Sequence, residues 1–96
     1  MTEKQFEDRQ VKPFLKNLDK CWFFKVHGGS MFQVAGIPDI VGVVNGRFIA
    51  LELKADNGKP SPLQIRNIDL IANAGGYAKF VYPKNWEDIK RELKQL

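Results

Sequence analysis

The stretch that decides the fold is DIVGVVNGRFIALELK, residues 39–54. Asn45-Gly46 at its centre is the strongest short signal for a two-residue hairpin, because a type I′ turn needs positive φ at both positions. With these residues in the turn, counting outward along both strands places Asp39 opposite Glu52. Directly opposed residues on antiparallel strands share a face of the sheet. The sequence therefore predicts two carboxylates side by side at the open end of a hairpin.

Two acids at this separation destabilise the fold unless another group compensates their charge. Two like charges about 5 Å apart repel by roughly 3 kcal/mol at an effective dielectric constant near 20, so a cation between them is expected. Lys54 follows Glu52 by two residues and projects to the same face, because side chains alternate along a strand. The residues that face the other way are apolar and predict core: Ile49, Leu51 and Leu53. We therefore expect one face of this strand to carry the polar site and the other face to pack in the core.

Length and composition predict one globular domain, residues 1–96, because 44% hydrophobic and 27% charged residues are typical of a folded chain. No apolar run approaches the roughly 20 residues of a membrane span, and we expect no signal segment. The single cysteine, Cys21, excludes an intramolecular disulfide and favours a reduced, cytoplasmic setting. The net charge of +4 and the pI near 9.3 indicate a polyanionic partner.

The residues before the hairpin predict a helix, a strand and a loop. A capping box formed by Thr2 and Gln5 begins the helix, and Pro13 kinks or splits it by removing a hydrogen bond. Residues 22–27 are rich in aromatic and β-branched side chains and predict a strand. The glycine-containing loop 28–38 then leads to the hairpin, and a loop of this length usually has a function.

The residues after the hairpin predict a helix, a strand and a second helix. Ser61 caps the first of these helices, Pro62 takes its first position, and Gln64 completes a second capping box. Residues 77–82 predict the strand, and a helix joining two strands of one sheet makes a right-handed parallel crossover. The sheet is therefore expected to be mixed. The residues of the first of these helices expected to face inward are Ile65, Ile68, Ile71 and Ala72. In the last helix, one face carries Trp86, Ile89 and Leu93.

The order and spacing of these motifs resemble a known family. GIPD at residues 36–39 is followed by ELK at 52–54 and by GKPS at 58–61, which leads to Gln64. This pattern is similar to the VRR-NUC (virus-type replication-repair nuclease) family in its small stand-alone form from phages and bacteria, within the PD-(D/E)xK nuclease superfamily. The resemblance covers about residues 3–86. It implies an α/β, restriction-endonuclease-like PD-(D/E)xK core, α-β-β-β-α-β, with a mixed sheet and a short C-terminal helix.

The resemblance implies a metal-dependent DNA endonuclease without a small-molecule cofactor. Mg²⁺ or Mn²⁺ would bind Asp39, Glu52 and the main-chain carbonyl of Leu53, and hard oxygen ligands suit these ions. Lys54 is expected to orient the attacking water or to stabilise developing negative charge. Gln64 is expected to reach the edge of the site, and a pure capping role is the simpler alternative; the two roles are compatible.

An acidic residue of the first helix is a further candidate. Glu7 shares the inward-facing apolar stripe of that helix, and superfamily members often add an acid from this helix to the metal site. Glu3, one turn earlier, is the competing candidate, because Pro13 shifts the helix. An exposed helix carboxylate with no role in the site is the plain alternative for either residue.

The remaining candidates concern DNA and partners. Lys25, His27, Ser30 and Gln33 are candidate DNA contacts, although a histidine at a strand end is more often a surface or packing residue. An exposed aromatic patch would serve a homodimer interface, and the two candidates for it are Phe32 and Trp86.

The resemblance further implies structure-selective cleavage of branched DNA, similar to that of Holliday-junction resolvases, which act as homodimers. The expected setting is the cytoplasm of a bacterium or a phage-infected host, with no membrane partner. Two alternatives remain: a catalytically silent DNA-binding or assembly factor with a nuclease fold, and a flap or nicking nuclease without junction preference.

Overall fold

A computed structural model describes residues 1–27 and 35–96 and confirms the predicted order of elements. In chain order they are helix α1 (Glu3–Phe6), a π-helical turn (Glu7–Val11), helix α2 (Lys12–Asn17), strands β1 (Cys21–Lys25), β2 (Ile40–Val44) and β3 (Arg47–Leu53), helix α3 (Pro62–Asn73), strand β4 (Tyr77–Val81), a 3₁₀ turn (Pro83–Asn85) and helix α4 (Trp86–Lys94). Within the described ranges, every helix is too short or too polar to cross a lipid bilayer.

The four strands form one mixed sheet in the order β1-β2-β3-β4, as the α/β prediction required. β1, β2 and β3 are antiparallel neighbours, whereas β3 and β4 are parallel and are connected through α3. The hairpin register is the predicted one, with Val44 opposite Arg47. Asn45 and Gly46 have φ values of 48° and 83°, which a type I′ turn requires. Local turn chemistry therefore sets the register of the β2–β3 hairpin.

Residues 3–17 follow one helical path that Pro13 does not split. The capping box of Thr2 and Gln5 is present. Ahead of the proline, the chain widens into the π-helical turn, where Lys12 N–H donates to the Glu7 carbonyl five residues earlier. A π turn shifts the hydrogen-bond pairing from four residues to five. The helix therefore continues past Pro13 although proline has no N–H to donate.

The main core lies between one face of the sheet and both terminal helices. Ile49, Leu51 and Leu53 are fully buried in it, as predicted from their alternation. Trp86 is only 2% exposed and packs edge-on against Phe6. The prediction that Trp86 contributes to an exposed interface patch is therefore wrong. Its ring fills the space between the first and last helices instead.

Helix α3 covers the opposite face of the sheet, above β3 and β4. Ile68 is 6% exposed and Ile71 is partly buried, as predicted, but Ile65 and Ala72 are exposed, so the prediction for these two is wrong. The inward stripe follows Gln64, Ile68 and Ile71, spaced by four and three residues. Ile65 and Ala72 lie one residue further on and point to the side.

The first strand also differs slightly from the prediction. It runs from Cys21 to Lys25 rather than over residues 22–27. Lys25 pairs with Ile40, the first residue of the antiparallel strand β2, so β1 has no partner residue in that strand beyond this point. Val26 still donates its N–H to the Asp39 carbonyl at 2.7 Å, which ties the chain to the hairpin one residue further.

Candidate active site

The two predicted acids do lie against each other at the open end of the hairpin. The regular ladder between β2 and β3 ends one position earlier, so the next position sets Asp39 against Glu52. One carboxylate oxygen of Asp39, Oδ2, accepts a hydrogen bond from the Leu53 N–H at 2.8 Å. This hydrogen bond holds the Asp39 side chain against β3, next to Glu52.

Glu52 is the most unusual group in the site. Its side chain is only 4% exposed. Oε2 accepts a hydrogen bond from Gln64 Nε2 at 3.3 Å, while the buried Oε1 has no hydrogen-bond partner among the described residues. Burial, and next the charge of Asp39, raises the pKa of Glu52 to about 8. A buried acid with a free oxygen beside a second acid is costly unless a cation or a proton compensates it.

Gln64 caps helix α3, as predicted, and its side chain also contacts Glu52; that it orients a water or Lys54 stays a prediction. Its backbone N–H donates to Ser61 Oγ at 3.2 Å, and its Oε1 accepts from the Ser61 N–H at 2.9 Å, which completes the capping box. The remaining amide group, Nε2, donates to Glu52. The same side chain therefore begins helix α3 and holds one oxygen of the buried acid in place.

Lys54 lies just beyond the end of β3, and its positive charge acts to lower the pKa of both Glu52 and Glu3. Its stem packs beside Gly58, where an added Cβ would lie 3.4 Å from Lys54 Cβ and Cδ. The turn after β3 thus leaves room for the lysine stem, and the charge of Lys54 is near enough to act on Glu52 and Glu3.

The main-chain carbonyl of Leu53 projects toward Asp39. In an extended strand, the N–H and C=O of one residue point to the same side. Leu53 N–H donates to Asp39, whereas the N–H of the next residue, Lys54, donates the other way to the Val81 carbonyl at 2.9 Å. A third oxygen is therefore directed to the side of the strand where the acids meet.

Glu7 is buried, as its place on the apolar stripe predicted, at 3% exposure. Its carboxylate is paired closely with two ammonium groups, with Lys25 Nζ 2.6 Å from Oε1 and Lys12 Nζ 2.9 Å from Oε2. The exposed Lys4 is a third and more distant partner, with Nζ 4.0 Å from Oε2. Burial alone would raise the pKa of Glu7, but hydrogen bonds from Lys25 and Lys12 outweigh it and lower the pKa. Lys25 Nζ also lies 3.9 Å from Asp39 Oδ1. Lys25 thus links Glu7 to the acid pair.

Glu3 is coupled to the site through its charge. Partial burial, and next the charge of Asp39, raises the pKa of Glu3, and Glu3 in turn acts to raise the pKa of Glu52. Both acids of the first helix therefore act on the acid pair. Glu7 does so through Lys25, which contacts Glu7 and lies near Asp39, and Glu3 does so directly through its charge. Which of them joins a metal ion stays a prediction.

Sequence reasoning missed the role of Lys12 and the pairing of Lys25. An α-helix aligns residues three or four apart, so the spacing of five between Glu7 and Lys12 gave no sign of an ion pair. The π-helical turn brings them together. The signal that was available is Pro13, because a proline directly after Lys12 forces a change in the hydrogen-bond pattern at this point.

The remaining candidates are less central. His27 is exposed, and its ring lies edge-on to Phe24 with 6.5 Å between centroids. Phe24 projects from the face of β1 opposite to Lys25, so His27 packs beside Phe24 rather than beside Lys25. The candidate DNA contacts Ser30 and Gln33, and the interface candidate Phe32, lie outside the described residues.

The donor set fits a divalent cation such as Mg²⁺ or Mn²⁺. Such ions take carboxylate and carbonyl oxygens, and the acid pair offers both, with Glu52 Oε1 free of any partner within the described ranges. Across those ranges, no three His, Cys, Asp or Glu side chains converge as a metal-binding group. The set therefore consists of Asp39, Glu52 and the Leu53 carbonyl, with a helix acid nearby.

The comparisons with known proteins leave the family open. The chain matches no protein-family model, and no curated protein has a matching sequence. The function is therefore argued from the geometry of the acid pair and the groups around it.

The raised pKa of Glu52 predicts how stability changes with pH in the absence of divalent ions. Between its ordinary value of 4.5 and about 8, the folded protein keeps a proton that the unfolded chain has released. The free energy of unfolding then falls as the pH rises through this window, by up to about 1.4 kcal/mol per pH unit. Urea unfolding in EDTA across the window measures the slope, and Glu52→Gln should flatten it. Equal slopes for both proteins would show that Glu52 titrates normally.

Proposed function

We propose that this protein is a divalent-metal-dependent endonuclease of the PD-(D/E)xK type that hydrolyses phosphodiester bonds in DNA. The observation that carries the proposal is the buried Glu52, whose Oε1 is unpartnered among the described residues and which lies beside the partly exposed acid Asp39. A structural role explains neither the burial of one acid beside another nor the arrangement of Lys54 and Gln64 beside them. A site for a cation and a phosphate explains both.

The proposed cofactor is Mg²⁺ or Mn²⁺, held by Asp39, Glu52 and the main-chain carbonyl of Leu53. Glu3 and Glu7 are the candidates for an additional acidic ligand. When bound, the ion supplies Lewis-acid stabilisation of the phosphate charge and lowers the pKa of water. These effects are worth several kcal/mol in phosphodiester hydrolysis, which uncatalysed is extremely slow.

The protein's own groups prepare the site for this chemistry. The Leu53 N–H fixes one oxygen of Asp39, and the Gln64 amide fixes one oxygen of Glu52. Each acid thus keeps a second oxygen available for a ligand. The ammonium group of Lys54 would donate to a phosphate oxygen as negative charge develops, or orient the attacking water. Positions fixed before the reaction avoid the cost of reorganising polar groups during it.

The proposed substrate is branched DNA, cut in the manner of a junction resolvase by a homodimer in the cytoplasm of a bacterium or an infected host. A net charge of +4 supports a nucleic-acid partner. The motif resemblance supports the junction and the dimer, and a chain of 96 residues has little surface of its own to hold a branched duplex.

Two alternatives compete with this proposal. A catalytically silent DNA-binding factor would be expected to lack an acid or the lysine, and Asp39, Glu52 and Lys54 are all present. A flap or nicking nuclease without junction preference would use the same three residues. The alternatives therefore differ in substrate rather than in the composition of the site.

Cleavage assays with three labelled substrates test the proposal: a four-way junction, a flap and a linear duplex, each with Mg²⁺, Mn²⁺ or EDTA. We expect metal-dependent cleavage that is fastest on the junction and absent in EDTA. Junction binding without cleavage in either metal would support the silent factor. Equal cleavage of flap and junction would support the less selective nuclease. Light scattering on the same samples measures whether the chain is a dimer.

A further inference from the structure

Part of the sheet face that carries the acid pair is covered by no helix in the described part of the chain. Helix α3 packs on that face against β3 and β4, and Val41 of β2 borders this contact. Beyond it the face presents large exposed apolar side chains from β1, β2 and the start of β3, which we call the aromatic face. Its members and their exposed fractions are Trp22 at 63%, Phe24 at 50%, Phe48 at 47% and Val43 at 37%.

The strand register arranges these side chains in rows. Trp22 is opposite Val43, and Val43 is opposite Phe48, so the three form one row across β1, β2 and β3. Phe24 lies two residues further along β1, in the next row, about 6.8 Å away. The aromatic rings therefore form a short platform with two rows rather than scattered surface positions.

The aromatic face continues directly into the candidate active site. Phe24 is opposite Val41, Val41 is opposite Ala50, and Glu52 lies two residues after Ala50 on the same face of β3. The row that contains Asp39 and Glu52 is thus the next one after the row of Phe24, again about 6.8 Å along the strands. A polymer whose phosphate reaches the acids lies within reach of the aromatic face on one side.

We propose that the aromatic face stacks unpaired bases of the nucleic-acid strand whose phosphate lies at the acid pair. The inference rests on the proposed function and specifies its substrate class: a strand that is single-stranded next to the cleaved bond. Every base has a π-face that stacks on an exposed aromatic ring, and a sheet with exposed aromatics is an established form of such a platform. A continuous duplex hides these faces in its own stack.

Two observations favour a nucleic acid over a second copy of this chain on the aromatic face. A net charge of +4 attracts a polyanionic partner such as a nucleic acid. The exposed side chains are also mainly aromatic, and they lie beside a site that would itself bind a phosphate. A second copy is treated as an outcome of the test.

Tryptophan fluorescence tests the proposal without cleavage. Trp22 is 63% exposed and Trp86 only 2%, so a stacked base should quench the emission of Trp22 alone. We expect saturable quenching when short oligothymidylate is added in EDTA, and loss of that signal in Trp22→Phe. The double variant Trp22→Ala/Phe24→Ala should bind oligothymidylate about tenfold more weakly or worse, because base stacking on a ring is worth that much.

Matched controls separate stacking from general loss of binding. Leu70→Ala removes a similarly exposed apolar side chain, 53% exposed on α3. It should leave the affinities for oligothymidylate and for a blunt duplex unchanged. A blunt duplex of the same length should bind the double variant within about twofold of wild type. Circular dichroism checks that the variants fold.

Three results would overturn the inference: unchanged oligothymidylate affinity in the double variant, an equal loss for the duplex, or a wild-type dimer that the double variant dissociates in sedimentation without DNA. The outcomes also separate the two proposals. Metal-dependent cleavage with no effect of the double variant on single-strand binding rejects stacking alone. Stacking on Trp22 by a protein that cuts no substrate rejects the nuclease alone.

Discussion

If the protein is the proposed nuclease, replacing Glu52 with glutamine should lower the rate of metal-dependent DNA cleavage by about a thousandfold or more, the largest effect we expect from one substitution. A divalent ion contributes several kcal/mol of charge stabilisation, and the amide keeps the size of the side chain while removing the charge that holds the ion. Single-turnover cleavage of a labelled junction in Mg²⁺ measures the loss. Residual cleavage above a tenth of the wild-type rate would place the catalytic centre elsewhere.

Two controls make this result specific. Glu87→Gln removes a carboxylate whose side chain is 79% exposed on α4 and should cleave like the wild type. In EDTA near pH 8, Glu52→Gln should be more stable than the wild type, since it removes a buried acid that is costly to ionise. A loss of cleavage therefore does not reflect unfolding.

Replacing Glu7 with glutamine lowers the free energy of unfolding by about 3 kcal/mol, the low end of the cost of breaking a buried ion pair. The change leaves Lys12 and Lys25 beside each other without the carboxylate that both contact. Each lysine side chain is about a quarter exposed and regains some hydration, which limits the loss. Urea unfolding at neutral pH measures the difference.

A surface ion pair on the same helix provides the control. Lys4 is 73% exposed and lies 3.3 Å from Asp8 and 4.0 Å from Glu7 Oε2. Because its ammonium group stays hydrated, Lys4→Ala should change the free energy of unfolding by less than about 1 kcal/mol. Glu7→Gln should also weaken metal binding, because Lys25, released from Glu7, then competes for Asp39. A destabilisation equal to that of Lys4→Ala would show that Glu7 does not hold the two lysines in the folded protein.

The hairpin and its acids were predictable because the information is local. The dipeptide Asn45-Gly46 defines the turn, and counting from it pairs every residue of the two strands, including Asp39 with Glu52. Gln64 was predictable for the same reason, since a capping box is read over four residues. The element order and the mixed sheet followed from these signals and the apolar spacing.

The features that the sequence did not predict depend on contacts between distant segments. The ion pairs of Glu7 require the π-helical turn before Pro13 and the approach of β1, which no local pattern reports. The burial of Trp86 depends on the first helix packing against the last, and the exposure of Ile65 depends on the angle at which α3 meets the sheet. The spacing of apolar residues indicates which side chains favour burial. It does not show which helix face packs against another element.

The most direct test of the acid pair as a cation site is calorimetric titration of Mn²⁺ into the metal-free protein near neutral pH. We expect saturable binding to the wild type, with proton release seen as a heat that depends on the buffer, because a ligand with a raised pKa must lose its proton. The Glu52→Gln and Asp39→Asn variants should bind far more weakly and release no proton. Absence of saturable binding to the wild type, or equal binding by all three proteins, would contradict the account.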